Sequence, residues 1–181
     1  GAWWAAEACA WAGWIDPALA TSVRPWLLIL GLPLAVGTAI YTAFLFGQAE
    51  GRDLWQSALL PAHLTVQAAM AGSATLALLA PWLPNSAALL ALATPVLGVA
   101  IAADLFVTLL GELGMPHASE VAALAARKIT SGPYAKIFWI GSVVIGHALP
   151  LALILANGES AAAAAVASVA TLVGLYAYEH A

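Results

Sequence analysis

A chain of 181 residues that is 64% hydrophobic and only 8% charged cannot build the water-facing surface of a soluble domain, where about a quarter of the residues carry charge. Its five Lys/Arg and nine Asp/Glu give a net charge of −4 scattered along the chain, so there is no basic patch for nucleic acid, and lipid is the solvent that suits it. Its single cysteine, Cys9, excludes an intramolecular disulfide and an iron–sulfur cluster ligated by this chain alone, and reads as a small buried hydrophobe.

In chain order, the first apolar stretch, 2–15, is too short to span a bilayer. It is expected to be the exit end of a transmembrane helix whose beginning precedes Gly1, because the chain opens without Met, a basic leader or a cleavage site. Asp16-Pro17 ends it. Segments 26–48, 58–80, 87–110, 137–156 and 161–178 then meet or approach the ~20 apolar residues, at ~1.5 Å rise each, that cross ~30 Å of hydrocarbon. Gly51-Arg52-Asp53, Pro81-Trp82-Leu83-Pro84-Asn85 and Asn157-Gly158-Glu159-Ser160 punctuate them, with Ser160 placed to cap the last helix. Pro33, Pro95 and Pro150 lie inside spans, where neighbouring helices re-satisfy the freed backbone groups.

The expected fold is therefore all-α: a polytopic transmembrane bundle of five full spans plus the end of a sixth, in one membrane domain. Residues 1–15 end the truncated helix, 26–110 hold three spans, 111–136 a connection and 137–181 two more spans. Within the connection, Ser119 is placed to cap a short helix with Glu120 in its first turn and Arg127-Lys128 in its last, the charge order that suits the helix dipole. Val121, Leu124 and Ala125 share a face, so this helix is expected to lie on the bilayer until Gly132-Pro133 breaks it.

Loops alternate sides. Arg52, Arg127, Lys128 and Lys136 fall on one side and Arg24 alone on the other, which predicts the first side, and the C-terminus with it, to be cytoplasmic. Trp26, Trp55, Trp82 and Trp139 near span ends fit an aromatic belt. Small residues (Gly37, Gly47, Ala71-Gly72-Ser73, and Ala161–Ala165 with Ala167-Ser168 in the last span) are expected to let helices approach closely.

Ionisable groups inside the membrane are the site candidates, because each costs a few kcal/mol to place there. Asp104 lies about six residues, ~9 Å, inside its span, and Thr108 and Glu112 continue a drifting polar stripe toward the surface. His63 sits at similar depth with Gln67 on its face, and His147 is mid-span, where it needs a partner that Asp104 can be. Asp104, His147, His63 and Glu112 are thus proton-relay candidates; the same groups can equally be interhelical hydrogen bonds. A haem held by His63 and His147 would need both imidazoles at matching depth, and the spacing sets them several residues apart, while His117 and His180 fall at or beyond the surface. Thr38, Tyr41, Thr42 and Gln48 share a face, with Tyr41 placed to bond either a quinone head or a neighbouring helix, and Glu50, Arg52 and Asp53 form a solvated cluster. No phosphate loop, dinucleotide fingerprint, zinc-binding His pair or nucleophile elbow occurs.

Tyr41-Thr42-Ala43-Phe44-Leu45-Phe46-Gly47-Gln48, then Arg52-Asp53-Leu54-Trp55-Gln56-Ser57 and Leu59-Leu60-Pro61, resembles the signature of the NrfD/PsrC family, the membrane subunits of polysulfide reductase and related complexes, with Ala43 in place of the usual Gly. Ile129-Thr130-Ser131-Gly132-Pro133-Tyr134 with Phe138-Trp139 is similar to the lead-in to that family's penultimate helix, and Gly1-Ala2-Trp3 to the start of its fourth. The likeness runs over nearly the whole chain and corresponds to the C-terminal half of a typical member. It implies a multi-pass subunit of the bacterial cytoplasmic membrane. Such a subunit exchanges electrons between a menaquinone or ubiquinone pool and an iron–sulfur partner, beside other membrane subunits, without binding haem, flavin or metal itself. The family's quinone pocket is built largely from N-terminal helices, so no quinone ligand transfers to this chain. The remaining bundle resembles the half proposed in some members to conduct protons. A secondary-transporter fragment and a purely structural membrane anchor are the alternative readings.

Overall fold

The computed structural model describes residues 2–49, 53–157 and 160–181, without the side chains of Leu54 and Trp55. The expected cluster around Glu50 and Arg52, the Gly158-Glu159 turn and the belt position of Trp55 lie outside the described residues. Those residues are helical with no strand among them, and five helices are long and apolar enough to cross a membrane. The chain is an all-α, multi-pass membrane protein.

A short helix α1, Ala2–Trp11, ends at Gly13, whose φ of +74° turns the chain back. Helix α2 runs Pro17–Gly47, 31 residues, and starts well before the predicted position 26. The physical reason is local: the Asp16 carboxylate accepts the Ala18 amide at 2.8 Å, and Pro17 occupies the first turn, where its missing N–H is no loss. Asp16-Pro17 is a start signal as much as a stop. Arg24 consequently sits inside α2 rather than in a loop. Its Nε and Nη2 donate to the two Glu7 carboxylate oxygens at 2.7 and 3.0 Å, tying α1 to α2.

Helix α3, Leu60–Leu79, follows a 3-10 turn at Asp53–Gln56 and is extended by another at Ala80–Trp82. Asn85, at φ 59°, reverses the chain into α4, Ser86–Phe106, which continues as a π turn over Val107–Glu112. Helix α5, Glu120–Thr130, is capped by Ser119, which accepts the Ala122 amide at 3.1 Å. The Ser119 hydroxyl also donates to Asp53 at 2.6 Å, fastening α5 to the 3-10 turn. Ala122 and Ala126 of α5 are buried, while Val121 and Leu124 are exposed. Helix α6 begins as a π segment, Ile137–Ala148, and finishes as α-helix, Leu149–Asn157. Helix α7, Ala161–His180, starts at the Ser160 cap.

The last helix is a seam of small residues: Ala164, Ala167, Ser168, Ala170, Thr171, Gly174 and Ala177 are its buried positions. At its crossing with α6, Gly146 and Gly174 bring backbone onto backbone; a Cβ on Gly174 would lie 2.0 Å from the Gly146 Cα. Only glycine permits that approach, which carries His147 into the bundle. Gly37 and Gly72, expected to serve the same way, face open space. Cys9 is half-buried rather than buried. A dry core of Met70, Ala74, Leu97, Ala100 and Ile101 joins α3 to α4, with Leu151, Ile154, Leu172 and Leu175 packed against it.

Candidate functional site

Four ionisable side chains from α3, α4 and α6 meet between the dry core and one end of the bundle. Their positions follow from the helices that carry them. His63 and Gln67 are one turn apart at the start of α3, so both project to one face. Asp104 is on the last α-helical turn of α4, and the π turn that follows swings Glu112 back over His63. His147 closes the π segment of α6. π turns are uncommon and concentrate at functional sites; here they place the two outer members of the group.

The contacts form one line. Tyr178 donates its hydroxyl to Glu112 Oε2 at 2.7 Å. Glu112 Oε1 lies 2.8 Å from His63 Nδ1. His63 Nε2 lies 3.1 Å from Asp104 Oδ1, and Asp104 Oδ2 lies 2.8 Å from His147 Nε2. His63, Asp104 and His147 are all but inaccessible, and Glu112 retains 14% side-chain exposure as the outermost carboxylate.

The partners fix where protons reside. His147 Nδ1 is 2.8 Å from the Ser142 backbone oxygen, which can only accept, so Nδ1 carries a hydrogen. The short contact from Nε2 to Asp104 then requires one further proton, on the imidazole or on the carboxyl: the pair holds a single proton between them. A lone carboxylate at this depth would be costly to bury, whereas the pair is neutral overall.

His63 is arranged differently. Glu112 accepts the Tyr178 hydroxyl on one oxygen and faces His63 Nδ1 with the other. His63 Nε2 faces Gln67 Nε2 at 3.1 Å and Thr108 Oγ1 at 3.5 Å as well as Asp104. The approach to Asp104 Oδ1 is a charge contact without hydrogen-bond alignment, so that buried oxygen otherwise stands unpartnered. An imidazole with a carboxylate on each nitrogen can take a proton on one side and release it on the other. The Gln67 NH2 can donate to His63 Nε2 when that nitrogen is bare.

Beyond Asp104 and His147 the line meets the dry core; Leu97 and Ile101 precede Asp104 on α4, and Met70 and Ala74 follow Gln67 on α3. At the other end a vestibule of about 380 Å³ reaches Glu112 between Asp53, Gln56, Met115 and His117.

A family model described as polysulphide reductase, NrfD, matches residues 4–179. The chain belongs to this family. It is a membrane subunit of a quinone-linked redox complex. No curated protein and no solved structure matches this NrfD-family chain.

Set against the sequence, Asp104 does pair with His147, and His63 does share its face with Gln67. The depth offset expected between the two histidines is bridged by the two oxygens of Asp104. Tyr41 stands apart, 62% exposed on α2, and Thr38 and Thr42 bond back to their own helix at Leu34 and Thr38. Tyr178 and the Ser142 carbonyl were not singled out. The sole sequence signal for Tyr178 was a tyrosine beside an acidic residue at the end of a span. Among the described residues no group of three His, Cys, Asp or Glu is disposed to hold a metal ion.

Proposed function

We propose that this NrfD-family subunit works in the bacterial cytoplasmic membrane, in a respiratory complex that exchanges electrons between the quinone pool and an iron–sulfur partner subunit. Within it, the line Glu112–His63–Asp104–His147 conducts protons from the face bearing Arg127, Lys128, Lys136 and the end of α7, taken as cytoplasmic, to mid-membrane. Quinone chemistry moves protons together with electrons, and a bundle interior without such groups would offer no path for them. One observation carries the reading: consecutive ionisable groups stand 2.8, 3.1 and 2.8 Å apart, from a water-accessible carboxylate to a fully buried pair. The dry core beyond that pair supports a half-path that ends at the Asp104–His147 proton.

The test uses the assembled complex in proteoliposomes. Replacing Asp104 by Asn keeps the shape and removes the carboxylate. Protons moved per electron are expected to fall, with assembly intact. Unchanged turnover and unchanged proton movement would remove Asp104 from the mechanism and favour an anchor in which these groups only join helices.

A further inference from the structure

Glu112 divides two cavities. The vestibule lies on one side; on the other is a separate cavity of about 210 Å³ lined by His63, Gln67, Glu112, Tyr178 and Glu179, with Phe46 and Ile129 among its apolar walls. A water occupies ~30 Å³ and needs two to four polar partners, so this space has both the room and the groups for a short water chain. Glu179 lies at its exposed margin and within electrostatic range of His63, Asp104 and Glu112. It is the helical neighbour of Tyr178, which points inward to Glu112 while Glu179 stands at the edge.

We infer that Glu179 is the proton-collecting carboxylate of a second water access, which joins the Glu112 access at His63. This rests on the relay reading above. Both Glu112 oxygens are engaged, one by His63 and the other by Tyr178, so an exposed carboxylate beside it adds a second point of collection. Glu179 takes a proton from bulk water as the carboxylic acid. It passes that proton through cavity water to His63 and returns to the carboxylate, ready to take up the next one. Two accesses converging on one imidazole let the line recharge from either side of the Tyr178 phenol.

The experiment measures proton uptake by the reconstituted complex with a pH-sensitive dye. Two parallel accesses share the flux, so Glu179→Gln or Glu112→Gln alone lowers uptake by about twofold, and the double variant by about a hundredfold, the low end of what a positioned proton-transfer group supplies. Glu179→Asp restores uptake, which a merely structural role would not require. An independent arm places Ile129→Cys in a Cys9→Ser background and applies a small cationic, water-soluble thiol reagent. Labelling is expected, and it abolishes the uptake that remains in Glu112→Gln. If Glu179→Gln changes nothing, alone or on top of Glu112→Gln, or if the cysteine stays unlabelled, the second access does not exist. A silent Asp104→Asn would instead sink the underlying relay, so the two failures are distinguishable.

Discussion

Replacing Asp104 and His147 by leucine, singly and together, separates a shared-proton pair from two independent buried groups. The contact is 2.8 Å long, and the side chains are 1% and 2% exposed. In soluble proteins, breaking a buried ion pair from one side costs ~3–5 kcal/mol, because the survivor is left charged and unpaired. In a membrane the average interhelical hydrogen bond is worth only ~0.6 kcal/mol, since the unfolded chain finds other partners. Here the survivor can shed or take up the one shared proton, which removes the charge but leaves an unpaired neutral group, costing ~1–3 kcal/mol. His147 keeps its bond to the Ser142 carbonyl in the Asp104→Leu variant, and Asp104 keeps its contact with His63 in His147→Leu. Each single variant is therefore expected to lose about 2 kcal/mol, and the double to lose about the same, for a coupling of about 2 kcal/mol. Denaturation in mixed micelles, followed by tryptophan fluorescence, measures all four corners of the cycle. Costs that add to within about 0.5 kcal/mol would refute the shared-proton pair.

Gly174→Ala is expected to destabilise the α6–α7 crossing by at least ~1–3 kcal/mol, because the new Cβ meets Gly146 backbone rather than a flexible side chain; the same titration reads it, and a neutral result would mean the helices part easily there. Ser119→Ala removes both the cap of α5 and the bond to Asp53. It is expected to cost ~0.5–2 kcal/mol and to speed amide exchange in the first turn of α5 selectively; uniform exchange along α5 would deny the cap that role.

Much of the fold was legible because lipid imposes a simple rule: long apolar runs must be helices. The caps at Ser119 and Ser160 and the α5 charge order were readable for the same local reason. The start of α2 was misplaced because Asp-Pro signals the end of one helix and the beginning of the next in the same two letters. At the site, Asp104–His147 was legible as a need: a mid-membrane imidazole must find a partner. The bond from Glu112 to His63 was not, because the π turn over Val107–Glu112 breaks the 3.6-residue periodicity on which a face is read. The Ser142 carbonyl that fixes the His147 proton is backbone, and side-chain patterns carry no trace of it. Tyr178 and Glu179 sit at the end of a span, where aromatic and acidic residues usually mean only an interface.

The most direct test of the proton line is His63→Leu in the assembled complex, because His63 touches both Glu112 and Asp104. With quinone turnover driven at a fixed rate, proton uptake from the basic-loop face is expected to fall to the level of the Asp104→Asn variant. Combining the two replacements should lower it no further, since both cut one series path. Full proton uptake in His63→Leu, with the complex intact, would contradict the account.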